Sequence, residues 1–264
     1  MAERSASAHV ERDREAVDRE PLPSDVVGEI RRSRRHPRPT QFDYLHLRCL
    51  VDNLAAALRR VNGTSPEVLD IFCGSRPYDD LLPTGARCTG HDVDDRFGLA
   101  DVVSRDFLPF PDASFDLVLC TEAFYYVPDP VLGVAEIRRV LRPGGSVIIT
   151  VPLVWPYDRG TLEHRFTGPE LAALFAGWDE VRVIENGGRS VSWATLTGWM
   201  LKSLDDRVSR SAGTRRMTRP VFGLAYAAIN GVGRLLDTVE RRYERGSYAL
   251  PMDLMLTARR PGNG

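Results

Sequence analysis

Short apolar runs alternate along the chain with segments whose apolar residues recur at helical spacing. The runs at 68–72, 115–120 and 146–151 are rich in branched or aromatic residues, and glycine, proline or aspartate stands near their ends. Runs of this length and composition are typical of buried strands. Weaker strand patterns lie at 86–92, 100–104, 178–185 and 249–259.

Helical spacing is clearest at 42–61, where Leu47, Leu50, Leu54 and Leu58 recur at intervals of three or four residues. Charged residues occupy the other positions around the turn, so an amphipathic helix is predicted before the first strand. Its apolar face is expected to pack against the sheet.

Two further helices are predicted from their start signals. Asp129 is a good N-cap and Pro130 suits the first helical position, so a helix is expected from there to about 141. Thr167 with Glu170 three residues later forms the pattern of a capping box, which predicts the start of another helix.

Strands that alternate with helices predict a mostly parallel α/β sheet. A chain of 264 residues is long enough for one such domain with a sizeable core, and we expect it to span 40–264. Residues 1–39 are dense in charge and poor in large apolar side chains, which predicts an N-terminal arm without packed structure. The long segment at about 186–247 is predicted to be a helical insertion before the last strand.

Composition narrows the function classes. The 35 Lys and Arg residues balance 36 Asp and Glu residues, so no nucleic-acid partner is expected from net charge. The four cysteines do not have the spacing of a metal site, and no metal is expected. The charged N-terminus lacks the apolar segment of a signal peptide, and we expect a cytoplasmic protein with reduced thiols.

The most informative stretch follows the first predicted strand. Asp70 lies inside the apolar run, where a carboxylate is costly unless something satisfies it. Gly74 then turns the chain into a short helical segment at 77–82, and Asp92 ends the second strand. Ligands bind at the carboxyl ends of the strands in open α/β sheets, so these residues predict a binding site at that edge.

Three segments in this order resemble one known family. They are the strand and turn around Asp70 and Gly74, the Gly90-His91-Asp92 strand end, and the run from Asp106-Phe107 through Phe115-Asp116 to Pro143-Gly144-Gly145. Together, over roughly 68–184, they resemble the class I S-adenosylmethionine-dependent methyltransferases, in the type 11 branch similar to ubiquinone and menaquinone biosynthesis enzymes. The resemblance implies a Rossmann-like, mostly parallel seven-stranded sheet with helices on both faces and an N-terminal cap helix.

The same resemblance implies where S-adenosylmethionine would bind. Asp70, Cys73 and Gly74 would lie against its methionine part. Cys120, at the end of the fourth strand, would lie beneath the sulfonium.

On the adenosine side, Asp92 would take the ribose hydroxyls, Asp106 would meet the adenine amino group and Phe107 would lie beside the ring. One feature departs from the family pattern of three alternating glycines. Phe72 and Arg76 replace the outer two, and the large Phe72 ring must point away from the cofactor for it to bind.

The acceptor side is predicted from ionisable and aromatic residues at the same edge. His164, in the loop at 152–167, and Glu122 are candidate general bases, and Tyr126 could hydrogen-bond the acceptor. A surface role for His164 and a core role for Tyr126 are the alternatives.

The insertion allows two interpretations. Its apolar run at 221–236 is too short and interrupted for a membrane span. The favoured interpretation is a lid helix that buries its apolar side over the active site, and the alternative is peripheral contact with a membrane surface.

These observations predict a methyltransferase that acts on a small hydroxylated molecule, such as a sugar or a natural-product scaffold, preferably by O-methylation. Two alternatives remain open at this point. One is an RNA-modifying methyltransferase, and the other is a non-catalytic methyltransferase-like scaffold, suggested by Phe72.

Overall fold

The computed structural model describes residues 20–61, 63, 65–105, 107–157, 159–243 and 250–262. Its strands are β1 (Glu67–Ile71), β2 (Arg87–Asp92), β3 (Val102–Val103), β4 (Phe115–Thr121), β5 (Leu141–Pro152), β6 (Asp179–Asn186) and β7 (Asp253–Arg259). They form one sheet in the order β3-β2-β1-β4-β5-β7-β6.

The sheet has the predicted mixture of strand directions. Strands β1 to β5 are mutually parallel, whereas β7 pairs antiparallel with both β5 and β6. The seven-stranded Rossmann-like fold is therefore confirmed. The strand order reverses between β1 and β4, and a ligand site is expected at the carboxyl ends of the strands beside this point.

Helices cover both faces of the sheet. They are α1 (Ser24–Arg35), α2 (Tyr44–Leu58), α3 (Pro130–Val140), α4 (Gly168–Leu174), α5 (Arg189–Val208) and α6 (Ala212–Tyr243). Along β4, Leu117 packs with the α2 side of the core, and its neighbour Val118 packs with the α3 and α4 side. This alternation buries both faces of the strand, as its continuous apolar run predicted.

The two capping predictions are confirmed. The Asp129 carboxylate accepts the backbone N–H groups of Val131 and Leu132 at 3.0 and 3.1 Å. Thr167 and Glu170 form the capping box at the start of α4. These caps begin the helices on the face of the sheet opposite α2.

The N-terminal arm is different from the prediction. Residues 1–19 lie outside the described residues, but 24–35 form α1 rather than unpacked chain. Arg31 and Arg35 pair with Asp79 and Asp80 at 3.4 and 2.8 Å, so the arginines of α1 dock this helix on the segment after β1. The charged composition concealed these long-range partners.

The segment predicted as a short helix at 77–82 contains only a single 3₁₀ turn, Asp79–Leu81. Two residues of this turn are acidic, and both are used to hold the arginines of α1. The connection between β1 and β2 is therefore a compact loop.

The insertion is helical, as predicted, and consists of the antiparallel pair α5 and α6, which packs on α2. The prediction that 221–236 buries its apolar side is wrong. Val221, Leu224 and Leu235 are 67%, 74% and 66% exposed, whereas Tyr226 and Asn230 face inward. Among the helices of the described residues, none combines the length and the apolar content needed to cross a membrane.

Candidate functional site

The turn after β1 has an alternating left-handed backbone. Phe72, Gly74 and Arg76 have φ values of 54°, 49° and 46°. A side chain in this conformation costs about 1–2 kcal/mol relative to glycine. The two positions that depart from the family's glycines therefore keep the backbone that glycine would adopt.

The Arg76 side chain is held to one side of this turn. Its guanidinium donates to Asp101 Oδ2 at 2.8 Å and to the Cys88 carbonyl at 3.2 Å, and it lies 3.3 Å from Asp79. These bonds offset the strain at Arg76 and direct the guanidinium along β2. The Arg76 side chain therefore packs on the β2 side of the turn.

The Phe72 ring lies on the other side, among aromatic side chains. Its centroid is 6.2 Å from that of Phe107 and 6.3 Å from that of His91. The ring is partly buried and packs against the core on the α3 side of the sheet. Phe72 and Phe107 therefore form one aromatic surface beside the turn.

Asp70 is the most perturbed acid at this edge. The residue is 5% exposed, and its Oδ1 atom has no hydrogen-bond partner in the described part of the chain. Burial, followed by the charge of Asp79, raises the pKa of Asp70 to about 8, and the nearby Arg76 only partly opposes the shift. A buried carboxyl group of this kind fits a cationic ligand.

Asp92 connects β2 to the glycine turn. Its carboxylate accepts the N–H of Gly74 at 2.9 Å and the N–H of Val93 at 2.8 Å. Burial raises the pKa of Asp92, while these two N–H groups hold it down. The charge of Asp92 also contributes to the raised pKa of Asp70, so the two carboxyl groups are close to each other.

Two buried thiols complete this part of the site. Burial, followed by the charge of Asp70, raises the pKa of both Cys73 and Cys120 well above the usual value for a thiol. They stay protonated at neutral pH and serve as small apolar groups. Asp106, predicted beside the adenine, lies outside the described residues.

A second polar cluster lies at the same edge of the sheet. Glu122 follows β4 with a left-handed φ of 54°, and Asp253 begins β7 opposite Pro152 at the end of β5. His46 projects from α2, and its Nε2 atom is hydrogen-bonded to Asp253. One ring nitrogen of His46 and one carboxyl oxygen from each of the two acids lie within 4.8 Å of one another.

Burial and the charge of Asp253 raise the pKa of Glu122 to about 7, with His46 opposing the shift. For His46, burial lowers the pKa, but Asp253 and Glu122 more than offset this effect and raise it above 6.5. The sequence prediction named Glu122 and missed its two partners. Both had a signal: His46 is one helical turn before Leu50 on the apolar face, and Asp253 interrupts an apolar strand.

The other two acceptor-side candidates lie with the loop after β4. The His164 ring stacks on Phe166 with centroids 5.7 Å apart, and its Nε2 atom is 3.3 Å from the Pro128 carbonyl oxygen. Tyr126 is 41% exposed, and its ring centroid is 4.1 Å from that of Tyr125. Contacts of this kind account for both side chains without a ligand.

The arrangement therefore combines two functions at one sheet edge. The buried Asp70 and the half-buried Asp92, beside the glycine turn, offer carboxyl groups to a ligand with cationic and hydroxyl groups. Glu122 and His46 offer groups that can hold or move a proton, and Asp253 holds the His46 ring through its hydrogen bond to Nε2.

The comparisons agree with this geometry. Residues 69–149 match the sequence profile described as a methyltransferase domain. The chain is 34% identical over 132 residues to 27-O-demethylrifamycin SV methyltransferase of Amycolatopsis mediterranei, covering 42% of this chain and 47% of that protein. It is 37% identical over 185 residues to methyltransferase GfsG of Streptomyces halstedii, covering 63% and 64%.

The chain thus spans less than two thirds of either relative. Among solved structures, the cyclase SpnF has the same fold, with a TM-score of 0.52, 19% identity and 82% of each chain covered. The profile match contains the glycine turn, Asp70 and Asp92, and the whole sheet has the expected strand order. Over residues 69–149 the chain is therefore similar to the methyltransferase domain family, and its sheet has the Rossmann-like fold.

Proposed function

We propose that this protein is an S-adenosylmethionine-dependent methyltransferase that methylates a hydroxyl group of a small molecule. The observation that carries the proposal is the buried Asp70 carboxyl group beside the glycine turn, with Oδ1 unpartnered within the described residues. S-adenosylmethionine has an ammonium group that would satisfy this carboxylate. The residues present therefore fit the cofactor.

Each part of the cofactor has a proposed partner. Asp70 binds the ammonium group, with Cys73 and Gly74 against the same methionine part. Asp92 accepts the ribose hydroxyls, because a carboxylate oxygen that already accepts one N–H keeps a further lone pair. Cys120 lies beneath the sulfonium as an apolar contact.

The adenine would lie along the aromatic surface of Phe72 and Phe107, with Asp106 at its amino group. When bound, the cofactor supplies an electrophilic methyl carbon. The contribution of the protein is then to align the acceptor with that carbon, exclude water and accept a proton.

Transfer to oxygen is favoured by two observations. One relative is named for O-methylation of a natural product, 27-O-demethylrifamycin SV. In addition, the acceptor side holds Glu122, whose pKa burial raises to about 7, beside His46, and a hydroxyl acceptor needs a nearby base more than a phenolate or an amine does.

The test uses S-adenosylmethionine labelled at its methyl group and a panel of hydroxylated natural products, including 27-O-demethylrifamycin SV, together with sugars and amine acceptors. The expected result is label in an acid-stable product and one equivalent of S-adenosylhomocysteine. Label that appears only in amine acceptors would refute O-transfer while leaving the methyltransferase proposal in place.

Methylation of RNA is the rival activity. An RNA enzyme would bind tRNA with an affinity that falls steeply with salt, since binding to phosphates releases counterions. The balanced charge of the chain gives no support to this alternative. The fold alone does not decide the reaction, because the SpnF structure with the same fold is named a cyclase.

A further inference from the structure

Three neighbouring residues at the acceptor side each have a buried polar atom without a partner. The atoms are His46 Nδ1, Glu122 Oε1 and Asp253 Oδ1, and nothing in the described ranges hydrogen-bonds them. The residues come from α2, from the position after β4 and from the start of β7. Buried polar atoms are almost always satisfied, so three of them on neighbouring residues indicate a site that is completed by a ligand.

The His46–Asp253 hydrogen bond decides which imidazole nitrogen is free. Asp253 is fully buried, and its carboxylate accepts from Nε2–H of His46. A neutral imidazole has one donor and one acceptor nitrogen, so Nδ1 carries the lone pair. Nδ1 is therefore ready to take a proton.

The surroundings of the cluster fit a hydroxyl group on an apolar body. Leu45, Val191 and Met252 form a small core beside it, and the Trp155 ring is 5.7 Å from the His46 ring. These residues come from α2, from α5, from the loop after β5 and from the position before β7.

We propose that His46 is the general base for the methyl acceptor, with Asp253 as the positioning residue and Glu122 binding a second polar group of the acceptor. This inference rests on the proposed function. The acceptor O–H proton moves to His46 Nδ1, and the oxygen electron pair forms the new C–O bond. The C–S bond of the cofactor breaks with its electron pair staying on sulfur, and Asp253 offsets the imidazolium charge.

The His46 imidazole is faced by charges from each neighbouring element. Asp253 and Glu122 face it from the sheet, Asp43 from the start of α2, and Arg34 of α1 acts on the same acids. Removing the Asp253 charge should therefore lower the pKa of His46 and move the acidic limb of the rate profile to lower pH.

The experiment compares His46→Gln and Asp253→Asn with His36→Ala as the matched histidine control, because His36 is exposed at the end of α1. His46→Gln should lower kcat by about 100-fold or more and leave S-adenosylmethionine affinity unchanged. Asp253→Asn should lower kcat and shift the pH profile as stated. His36→Ala should change neither quantity.

A second readout does not depend on turnover. In ¹⁵N-histidine NMR spectra, neutral His46 should be the Nε2–H tautomer, and Asp253→Asn should lower its titration midpoint. An Nδ1–H tautomer, full kcat in His46→Gln, or activity that a chelator abolishes and Mn²⁺ restores would overturn the assignment. Absence of cofactor binding by the unmodified protein would instead overturn the proposed function.

An independent observation concerns the exposed side of α6. Met217, Val221, Leu224, Leu235 and Val239 recur at helical intervals, and all five are exposed, Met217 by 78%. This apolar stripe runs along the outside of a helix whose opposite side packs on α5 and the start of α2. Such a stripe on a monomer indicates a surface that docks on something else.

Five exposed arginines lie where α5 is connected to α6, at the end of the helix pair where the apolar stripe begins. They are Arg207, Arg210, Arg215, Arg216 and Arg219. An amphipathic helix with a dense arginine cluster complements an anionic lipid surface, because the headgroups attract the cations while the apolar side chains enter the interface.

We further propose that this end of the α5–α6 pair binds anionic membrane surfaces, with α6 lying in the interface. The test is cosedimentation of the full chain with phosphatidylcholine vesicles that contain or lack phosphatidylserine. Binding should require phosphatidylserine and be lost at high salt. Both Leu224→Ser and the double change Arg215→Ser/Arg216→Ser should weaken it about tenfold or more.

Val131→Ser is the matched control, because Val131 is an equally exposed apolar residue on α3. It should bind vesicles like the unmodified protein. Equal sedimentation with neutral vesicles, or a dimer in light scattering that Leu224→Ser dissociates, would contradict the lipid proposal and indicate that a second copy covers the stripe.

Discussion

Replacing Asp70 with Asn should stabilise the ligand-free protein and at the same time weaken cofactor binding. The carboxyl group is buried beside Cys73, and one of its oxygens has no partner in the described chain. Its negative charge is a cost until a cation binds. Asn has nearly the same shape and removes that charge.

The magnitude follows from the pKa. The pKa of Asp70 is about 8 in the folded protein, against an ordinary value of 3.8. Because the folded value is the higher one, the stability contributed by Asp70 is present at low pH and is lost as pH rises toward 8. At about 1.4 kcal/mol per pKa unit, the ionised form costs roughly 5–6 kcal/mol above pH 8.

The amide of Asn keeps a desolvation cost of about 1–3 kcal/mol, so a net gain of about 2 kcal/mol or more is expected. Urea unfolding at pH 6, 7.5 and 9 measures it, and the gain should grow with pH. Calorimetry with S-adenosylmethionine should show a loss of affinity of about tenfold or more. The exposed Asp52→Asn is the matched control and should change neither quantity.

If Asp70→Asn lowered the free energy of unfolding at pH 9, the cost assigned to the buried charge would be refuted. Unchanged cofactor affinity would refute the binding role, because the carboxylate would then have no cationic partner in the complex.

Three other predictions follow from single contacts. Phe72→Gly should be more stable than Phe72→Ala by about 1 kcal/mol in urea unfolding, since φ is positive there; the reverse order would contradict the strain assignment. Asp129→Ala should cost about 1 kcal/mol in thermal unfolding because α3 loses its N-cap, whereas an unchanged Tm would show the cap to be redundant. Arg76→Ala should destabilise the protein by about 2 kcal/mol, because its bonds to Asp101 and the Cys88 carbonyl are lost; a loss of cofactor affinity with full stability would instead indicate a contact with the ligand.

The sheet could be predicted from the sequence because its signals are local. The apolar runs predict β1, β4 and β5, and the Asp129 and Thr167 caps predict where α3 and α4 begin. Each of these signals lies within a few residues of the element that it specifies.

Contacts between residues far apart in the sequence could not be predicted. The charged arm was predicted to be unpacked, yet Arg31 and Arg35 pair with Asp79 and Asp80, which are 48 and 45 residues further along the chain. In the same way, the exposure of the stripe on α6 depends on which face packs on its neighbours, and periodicity alone does not tell a buried stripe from an exposed one.

The acceptor-side cluster contains one residue that was predicted from the sequence and two that were not. Glu122 was found because it follows a strand, where ligands bind. Asp253 is 131 residues further along the chain and His46 lies on a helix before the sheet, so their convergence is a property of the fold. Asp253, like Asp70, is an acid within an apolar strand, so the same signal in the sequence indicates it.

Calorimetric titration of the full chain with S-adenosylmethionine tests most directly whether the acids at the strand ends bind an adenosyl cofactor. One equivalent should bind, and Asp92→Ala should weaken binding by about tenfold to 100-fold, while Asp52→Ala leaves it unchanged. Absence of binding, or equal affinity in Asp92→Ala, would contradict the account.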